Sequence, residues 1–189
     1  MSTIHDLSTF VNLLQKESEL HVIETPVDPY LEIAEIHRRV IEHNGPALLF
    51  TNVKGSTFPV VTNLFGSNHR LELAFGRRPQ NFVQGLVETV EKLGPPSLRK
   101  LWSKRNLFTQ AVRLGTTSAK HAPILEQRFS PPKLTKLPML TSWDTDGGPF
   151  VTLPLVYTEH PDGKGHNLGM YRIHRYDDET TGIHWQIHK

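Results

Sequence analysis

Near the end of the chain His184, Gln186 and His188 stand two apart, with Ile183, Trp185 and Ile187 between them. On a β-strand residues two apart share a face, so this spacing projects two imidazoles and a carboxamide together. Imidazole nitrogen ligates divalent metals and carries protons near neutral pH. A hydrated outer sheet face produces the same alternation, and spacing alone leaves both readings open. A second string, Asn167-Leu168-Gly169-Met170-Tyr171-Arg172, follows the turn-forming run Pro161-Asp162-Gly163-Lys164-Gly165. It is expected to open a strand that pairs back on residues 150–157. Asn offers a carboxamide oxygen to a hard cation or phosphate, and Arg offers a planar, permanently charged fork to an anion. Gly169 permits a close approach or a bulge. Asn167 and Arg172 are five positions apart, an odd number, so a regular strand turns them to opposite faces. Both reach one ligand only if Gly169 bulges or Asn167 precedes the strand. The alternative is an ordinary edge strand with a solvent-facing Arg.

Other candidates carry less. Trp143-Asp144-Thr145-Asp146-Gly147-Gly148 has the acidic opening of a calcium loop but lacks the terminal bidentate Glu and flanking helices of an EF-hand, so a structural turn is expected. Arg99, Lys100, Lys104, Arg105 and Arg113, interleaved with Trp102 and Phe108, fit a solvated helix face better than a nucleic-acid surface. His5, His21, His37, His43, His69 and His121 have no clustered carboxylate in sequence and read as solvated residues. No P-loop, Gly-x-Gly-x-x-Gly, Gly-x-Ser-x-Gly or His-Glu-x-x-His string occurs.

The elements that must position these residues follow from periodicity. Leu7, Phe10, Val11 and Leu14 recur at helical spacing behind Thr3 and Asp6, which suit a capping box. Leu20 to Glu24 alternates like a strand. Ile33, Ile36, Val40 and Ile41 mark a second helix that stops at Asn44-Gly45-Pro46. Ala47 to Val53 and Phe58 to Val61 read as two strands joined tightly through Lys54-Gly55-Ser56. Phe82, Leu86, Val90 and Leu93, then Leu98, Leu101, Trp102, Phe108 and Val112, suggest two more helices before Gly115. From Pro123 onward prolines, glycines and the apolar stretches 150–157, 168–173 and 183–187 predict β-structure. The fold expected is therefore α+β, with a mixed α/β domain over 1–115 and a β-rich domain over 116–189. The last apolar stretch ends almost at Lys189, leaving a final strand without a closing partner, so the sequence reads as unfinished.

Composition bounds the rest. Among 189 residues there is no Cys, which excludes thiolate metal sites, disulfides and a cysteine nucleophile. Lys+Arg 21 against Asp+Glu 19 leaves +2, which gives no reason to expect a nucleic-acid partner. No apolar run reaches the ~18–20 residues of a membrane span and no signal-peptide pattern opens the chain, so a cytoplasmic protein is expected.

Six strings together resemble the UbiD decarboxylase family. They are Thr25-Pro26-Val27-Asp28-Pro29 with Leu31-Glu32-Ile33, Gly45 to Phe50, Asn63-Leu64-Phe65-Gly66, Leu137-Pro138-Met139-Leu140, Gly147 to Thr152, and Asn167 to Arg172. They occur in family order and span nearly the whole chain, as in its N-terminal portion. The resemblance implies an N-terminal α/β domain followed by the start of a split β-barrel like that of flavin reductases, truncated here. It implies non-oxidative decarboxylation of an aromatic or α,β-unsaturated acid with prenylated FMN, closest to 4-hydroxy-3-polyprenylbenzoate decarboxylases of quinone biosynthesis. It further implies that Asn167 and His188 bind a divalent metal, usually Mn²⁺ with K⁺ as a further candidate, which anchors the cofactor phosphate. Thr152, Met170, Tyr171, Arg172, His184, Trp185, Gln186 and Lys189 would contact the cofactor, with Arg172 as the catalytic residue beside the substrate carboxylate. The family's third metal ligand, a Glu, and its acidic proton donor lie beyond the equivalent of Lys189. The resemblance thus implies a chain inactive by itself, homo-oligomeric in the longer form, and in peripheral membrane contact if its substrate is polyprenylated. A non-catalytic truncated paralogue or assembly partner is the alternative.

Overall fold

The computed structural model describes residues 4, 6–76, 84 and 122–185. Backbone contacts divide the chain into one unit made of residues 1–70 with 129–189, and a second made of residues 71–128.

The first unit opens with α1 (Leu7–Lys16), whose N-terminus is capped by the Asp6 carboxylate accepting the Thr9 N–H at 2.7 Å. Its apolar stripe buries Phe10 and Leu14. Strand β1 (Leu20–Ile23) follows, then α2 (Glu32–Glu42), which buries Ile33. Helix α2 stops where Asn44 takes φ 52° and the Gly45 N–H returns to the Val40 carbonyl. Strand β2 (Ala47–Phe50) lies between β1, parallel, and β3 (Val60–Thr62), antiparallel. The middle strand packs its Leu48 and Phe50 face into the core with α2 and also buries Ala47 on its other face, which is why Ala-Leu-Leu-Phe reads as a continuous run and not an alternating one. Val27, Ile33, Leu48, Phe50 and Val53 form the core, with Ile36 and Val40 of α2 packed on it.

Leu140, from the β-rich half, joins this same core. Its neighbour Thr141 bridges Tyr30, and Leu140 bridges Phe150. The segment 140–141 therefore stitches the first sheet to strands that follow. Strand β4 (Phe150–Val151) pairs with β7 (Ile173–Arg175), which pairs with β8 (Thr181–Ile183); β5 (Leu155–Glu159) and β6 (His166–Met170) form a separate two-stranded sheet. Among the described residues no helix is long and apolar enough to cross a membrane.

Several expectations need correction. The link between β2 and β3 spans residues 51–59 and is no tight hairpin, because Val53 leaves the sheet to bridge Val27. Residues 150–157 form two strands, interrupted at Pro154, which cannot donate to a ladder. The stretch 168–173 also divides, into β6 and β7. The strand expected over 183–187 ends at Ile183, so the alternation argued for His184 does not apply; His184 and Trp185 follow the strand. Between Pro123 and Lys136 the chain makes two 3-10 turns, at Pro123–Glu126 and Leu134–Lys136, and no strand. A helix that periodicity did not mark, α3 (Asn68–Phe75), buries Arg70 instead of an apolar residue. Arg70 pairs with Glu19 at 2.8 Å. The two helices expected between Pro79 and Gly115, the basic cluster from Arg99 to Arg113, and Thr3, His5 and His121 lie outside the described residues, apart from Gln84.

Phe50 is fully buried at the centre of the core. Phe50→Ala is expected to cost about 3–5 kcal/mol, read as a lower urea midpoint with an unchanged slope. A loss under about 1 kcal/mol would place the core elsewhere.

Candidate functional site

Phe150 opens β4 and is 3% exposed. Around its ring gather three side chains from the β7 and β8 region. The Arg172 guanidinium lies over it, 3.7 Å from the ring centroid. His174 stacks at 4.4 Å, and His184 meets it edge-on at 5.1 Å. A cation over an aromatic face is attracted by the ring quadrupole. The stack from His174 continues to Tyr176 at 4.6 Å.

Arg172 is held from the far side by Asp146. Its Nη1 donates to Oδ1 at 2.8 Å and its Nη2 to Oδ2 at 2.7 Å, a two-pronged pair. Asp146 also accepts the backbone N–H of Ser142 and of Trp143, each at 3.1 Å. The Arg172 hydrogen bonds, joined by these backbone donors, hold its carboxyl below the usual carboxylate range. The Trp143–Gly148 segment is thus a turn, as its sequence suggested, and its second Asp has a partner 26 residues downstream. Nothing in the local spacing signals that partner. Gly147 and Gly148 follow because a Cβ there would meet the His174 imidazole at 3.2 and 2.6 Å.

The odd spacing of Asn167 and Arg172 is resolved in a way that differs from both expectations. Asn167 lies inside β6, opposite Thr158, and Gly169 pairs regularly with Val156, with no bulge. The phase changes at Tyr171 and Arg172, between β6 and β7. There the Tyr171 ring folds back over Gly169, where a Cβ would lie 2.6 Å from it, and its hydroxyl accepts the Asn167 Nδ2–H at 2.9 Å. The amide nitrogen is thereby engaged and, among the described residues, the carbonyl oxygen of Asn167 has no partner. Trp185 packs against Tyr171 at a tilt, ring centroids 5.0 Å apart.

The structure brings Asn167, Tyr171, Arg172, His184 and Trp185 into one neighbourhood, and the His184 N–H donates to the Arg172 carbonyl. Met170 is exposed on the opposite face of β6 from Asn167, paired with Leu155. Thr152 is exposed and lines a cleft of about 1120 Å³. Its other walls include Ala34, His37 and Ile41 of α2 and Leu137 to Leu140. In that cleft His37 Nδ1 and Thr62 Oγ1 are buried without a partner among the described residues, and burial pushes the His37 imidazole toward its neutral form. Gln186, His188 and Lys189 lie outside the described residues. No three His, Asp or Glu side chains cluster as a metal site among the described residues. Sequence reasoning missed Asp146 and His174 as neighbours of Arg172, and it gave His37 no role.

Comparison with known proteins defines the class. The model of the 3-octaprenyl-4-hydroxybenzoate carboxy-lyase N-terminal domain matches residues 11–90, and that of the Rift-related domain of the same family matches residues 116–189. A Chlamydia pneumoniae protein named as a subunit of 4-hydroxybenzoate decarboxylase is 45% identical over 183 residues, which cover 97% of this chain and 31% of that protein. A Chlamydia trachomatis protein is 49% identical over 186 residues, with the same coverage of each. The fold is similar to the UbiD-class enzyme HmfF from Pelotomaculum thermopropionicum in an evolved dimeric form with prFMN (TM-score 0.72, 25% identity, 97% of this chain and 39% of that one). It is similar as well to the closed form of Sedimentibacter hydroxybenzoicus vanillic acid decarboxylase (TM-score 0.71, 26% identity, 97% and 37%). The chain belongs to the UbiD family, and spans about a third of the length of the curated relatives it matches.

The Asp146 carboxyl sets a pH dependence. Because its folded-state value is lowered, its contribution to stability is complete above the unfolded value of about 3.9 and disappears as pH falls through the folded value. Urea midpoints for wild type and Asp146→Asn should differ by a constant amount from pH 7 to about pH 5, well above that unfolded value, and converge only in stronger acid. A difference that vanishes between pH 7 and 5 would contradict the pairing.

Proposed function

We propose that this chain forms the N-terminal part of the cofactor and substrate site of a decarboxylase that removes CO₂ without oxidation from an aromatic or α,β-unsaturated acid. The substrate class is the 4-hydroxy-3-polyprenylbenzoate type used in quinone biosynthesis, and the cofactor is prenylated FMN with a divalent metal, Mn²⁺ in first place. The observation that carries this reading is that an anion-binding fork, Arg172, and an open carboxamide oxygen, Asn167, stand on either side of Tyr171 in sequence, the first held by Asp146 and the second by the Tyr171 hydroxyl. Membership of the UbiD family and the likeness to an HmfF form that contains prFMN support it. The division near residue 115, and the reading of β4 to β8 as the start of a split β-barrel, belong to the same proposal.

The donor chemistry present fits such a site. The chain has no thiol, and the free Asn167 oxygen, completed by the His188 imidazole, is an oxygen and nitrogen set suited to Mn²⁺ and to the phosphate it would neutralise. When bound, the prenylated flavin supplies an electron sink for the carbon that loses CO₂. The residues of this chain do the binding and orienting. Tyr171, His184 and Trp185, with Thr152, Met170, Gln186 and Lys189 as further contacts in this reading, would hold the flavin, while Tyr171 engages the amide nitrogen of Asn167 and leaves its oxygen as the atom that would ligate a metal. Arg172 holds the substrate carboxylate in place for bond cleavage. The chain covers about a third of its curated relatives, and in this reading the proton that replaces CO₂ is supplied by an acid from the rest of such a protein or from a complementing chain. A relative named as part of a multi-subunit decarboxylase is in keeping with this.

The test is binding and turnover with the 189-residue chain. Flavin fluorescence should be quenched by the chain in a Mn²⁺-dependent manner, and Asn167→Ala should weaken that binding by about tenfold or more, the usual cost of disturbing a metal site. No decarboxylation should be measurable with prenylated FMN and Mn²⁺ added. Full Mn²⁺-dependent binding by Asn167→Ala would overturn the metal assignment, and turnover by the isolated chain would overturn the division of labour.

A further inference from the structure

We propose that Asp146 is the positioning residue of the carboxylate fork. It chelates the end of the Arg172 guanidinium, holds it over Phe150, and leaves the Nε edge open as the prong pair for the substrate anion. This rests on the assignment of Arg172 to the substrate carboxylate made above.

A guanidinium carries five N–H bonds in one plane. Asp146 takes one from Nη1 and one from Nη2, at 2.8 and 2.7 Å. The Nε–H and the Nη–H beside it form a second parallel pair along the side of the plane, and among the described residues Nε has no acceptor. That edge can receive a second carboxylate while the first stays in place. The exposures agree with the division of roles: the Asp146 side chain is 9% exposed and that of Arg172 33%. The inner partner is fixed and the outer one faces ligand.

Asp146 is suited to hold still. Its Oδ2 also accepts the Ser142 and Trp143 N–H groups, so the carboxylate is anchored to its own turn as well as to Arg172. Phe150, almost fully buried, supplies the floor at 3.7 Å. A long side chain that would otherwise sample many rotamers is thus fixed in plane and azimuth before ligand arrives, which is the condition for specific anion capture. The pairing answers a second need. When a substrate carboxylate leaves as CO₂ the bonding electron pair stays on the carbon it came from, so negative charge moves away from Arg172, and a half-buried cation with no other partner is costly. With Asp146 in place the fork stays neutralised after the anion is gone, so Arg172 resists neither the loss of charge nor product departure.

The experiment uses benzoate and its uncharged analogue benzamide as probes, titrated by calorimetry into the wild-type 189-residue chain, Asp146→Asn and Arg172→Lys at one ionic strength. Asp146→Asn should weaken benzoate by roughly tenfold, the scale of a charge-assisted hydrogen bond, and leave benzamide unchanged. A merely structural role would weaken both equally, and that result overturns the proposal, as does benzoate binding that is unchanged or tighter. Arg172→Lys should lose benzoate as well. If it does not, the assignment of Arg172 fails, which is separable from an Asp146→Asn result taken alone. Wild-type chain that binds no benzoate overturns both. A structure of the wild-type chain with benzoate needs no variant to fold: the carboxylate is expected on the Nε edge with Asp146 still on Nη1 and Nη2, and displacement of Asp146 would sink the proposal.

Discussion

One ion pair ties the β-rich half of this chain together. Asp146 and Arg172 are 26 residues apart, and their contact fixes at once the turn that follows Thr141 and the break between β6 and β7. Phe150 lies beneath the pair and opens β4, and His174 and His184 close around the same ring. A surface pair of this type contributes little to stability. Here one partner is nearly buried, accepts two backbone N–H groups and rests against an aromatic floor, so the geometry is over-determined by packing and not left to Coulomb attraction alone. What the pair provides is direction: it sets which edge of Arg172 faces outward and so what the site can hold.

That arrangement depends in turn on the core of the α/β half. Leu140 packs against Phe50 and its neighbours while Thr141 bridges Tyr30, and the next residues begin the turn that carries Asp146. Burial of apolar surface is the driving force, and the same stretch of chain conveys it to the polar site. The route from core to site runs only from Leu140 to Asp146, short enough that the position of Asp146 is inherited from β2 and α2. Two glycines just past this route, Gly147 and Gly148, are where a Cβ would meet the His174 ring. A third, Gly169, is where Tyr171 lies against its strand.

Legibility in the sequence followed the periodic elements. Helices α1 and α2, with the stop of α2, and strands β1 to β3 were readable because the helices carry an apolar stripe of helical period and β2 a continuous apolar run. Helix α3 was not, since the side chain it buries is Arg70, answered by Glu19 from a distant segment. Strand ends in the β-rich half were misplaced for a related reason: runs such as 150–157 and 168–173 are largely apolar, and nothing in apolarity marks where a strand bends or changes partner. The site itself was half legible. Asn167 and Arg172 stood out by type and spacing, and family resemblance supplied their roles. The way their opposed phase is resolved could not be read, because it depends on Tyr171 folding over Gly169, a contact made only after the chain has turned. Asp146 was hidden because its partner is far away in sequence and a carboxylate in a turn is commonplace.

The proposed role of Asn167 is to help hold a metal that anchors a flavin phosphate. It is tested most directly by phosphorus-31 spectra of FMN with a trace of Mn²⁺, with and without the 189-residue chain. The account predicts that the chain sharply increases Mn²⁺ broadening of the phosphate resonance and that Asn167→Ala abolishes the increase. Broadening that is the same with wild-type chain, with Asn167→Ala and with no protein would contradict it.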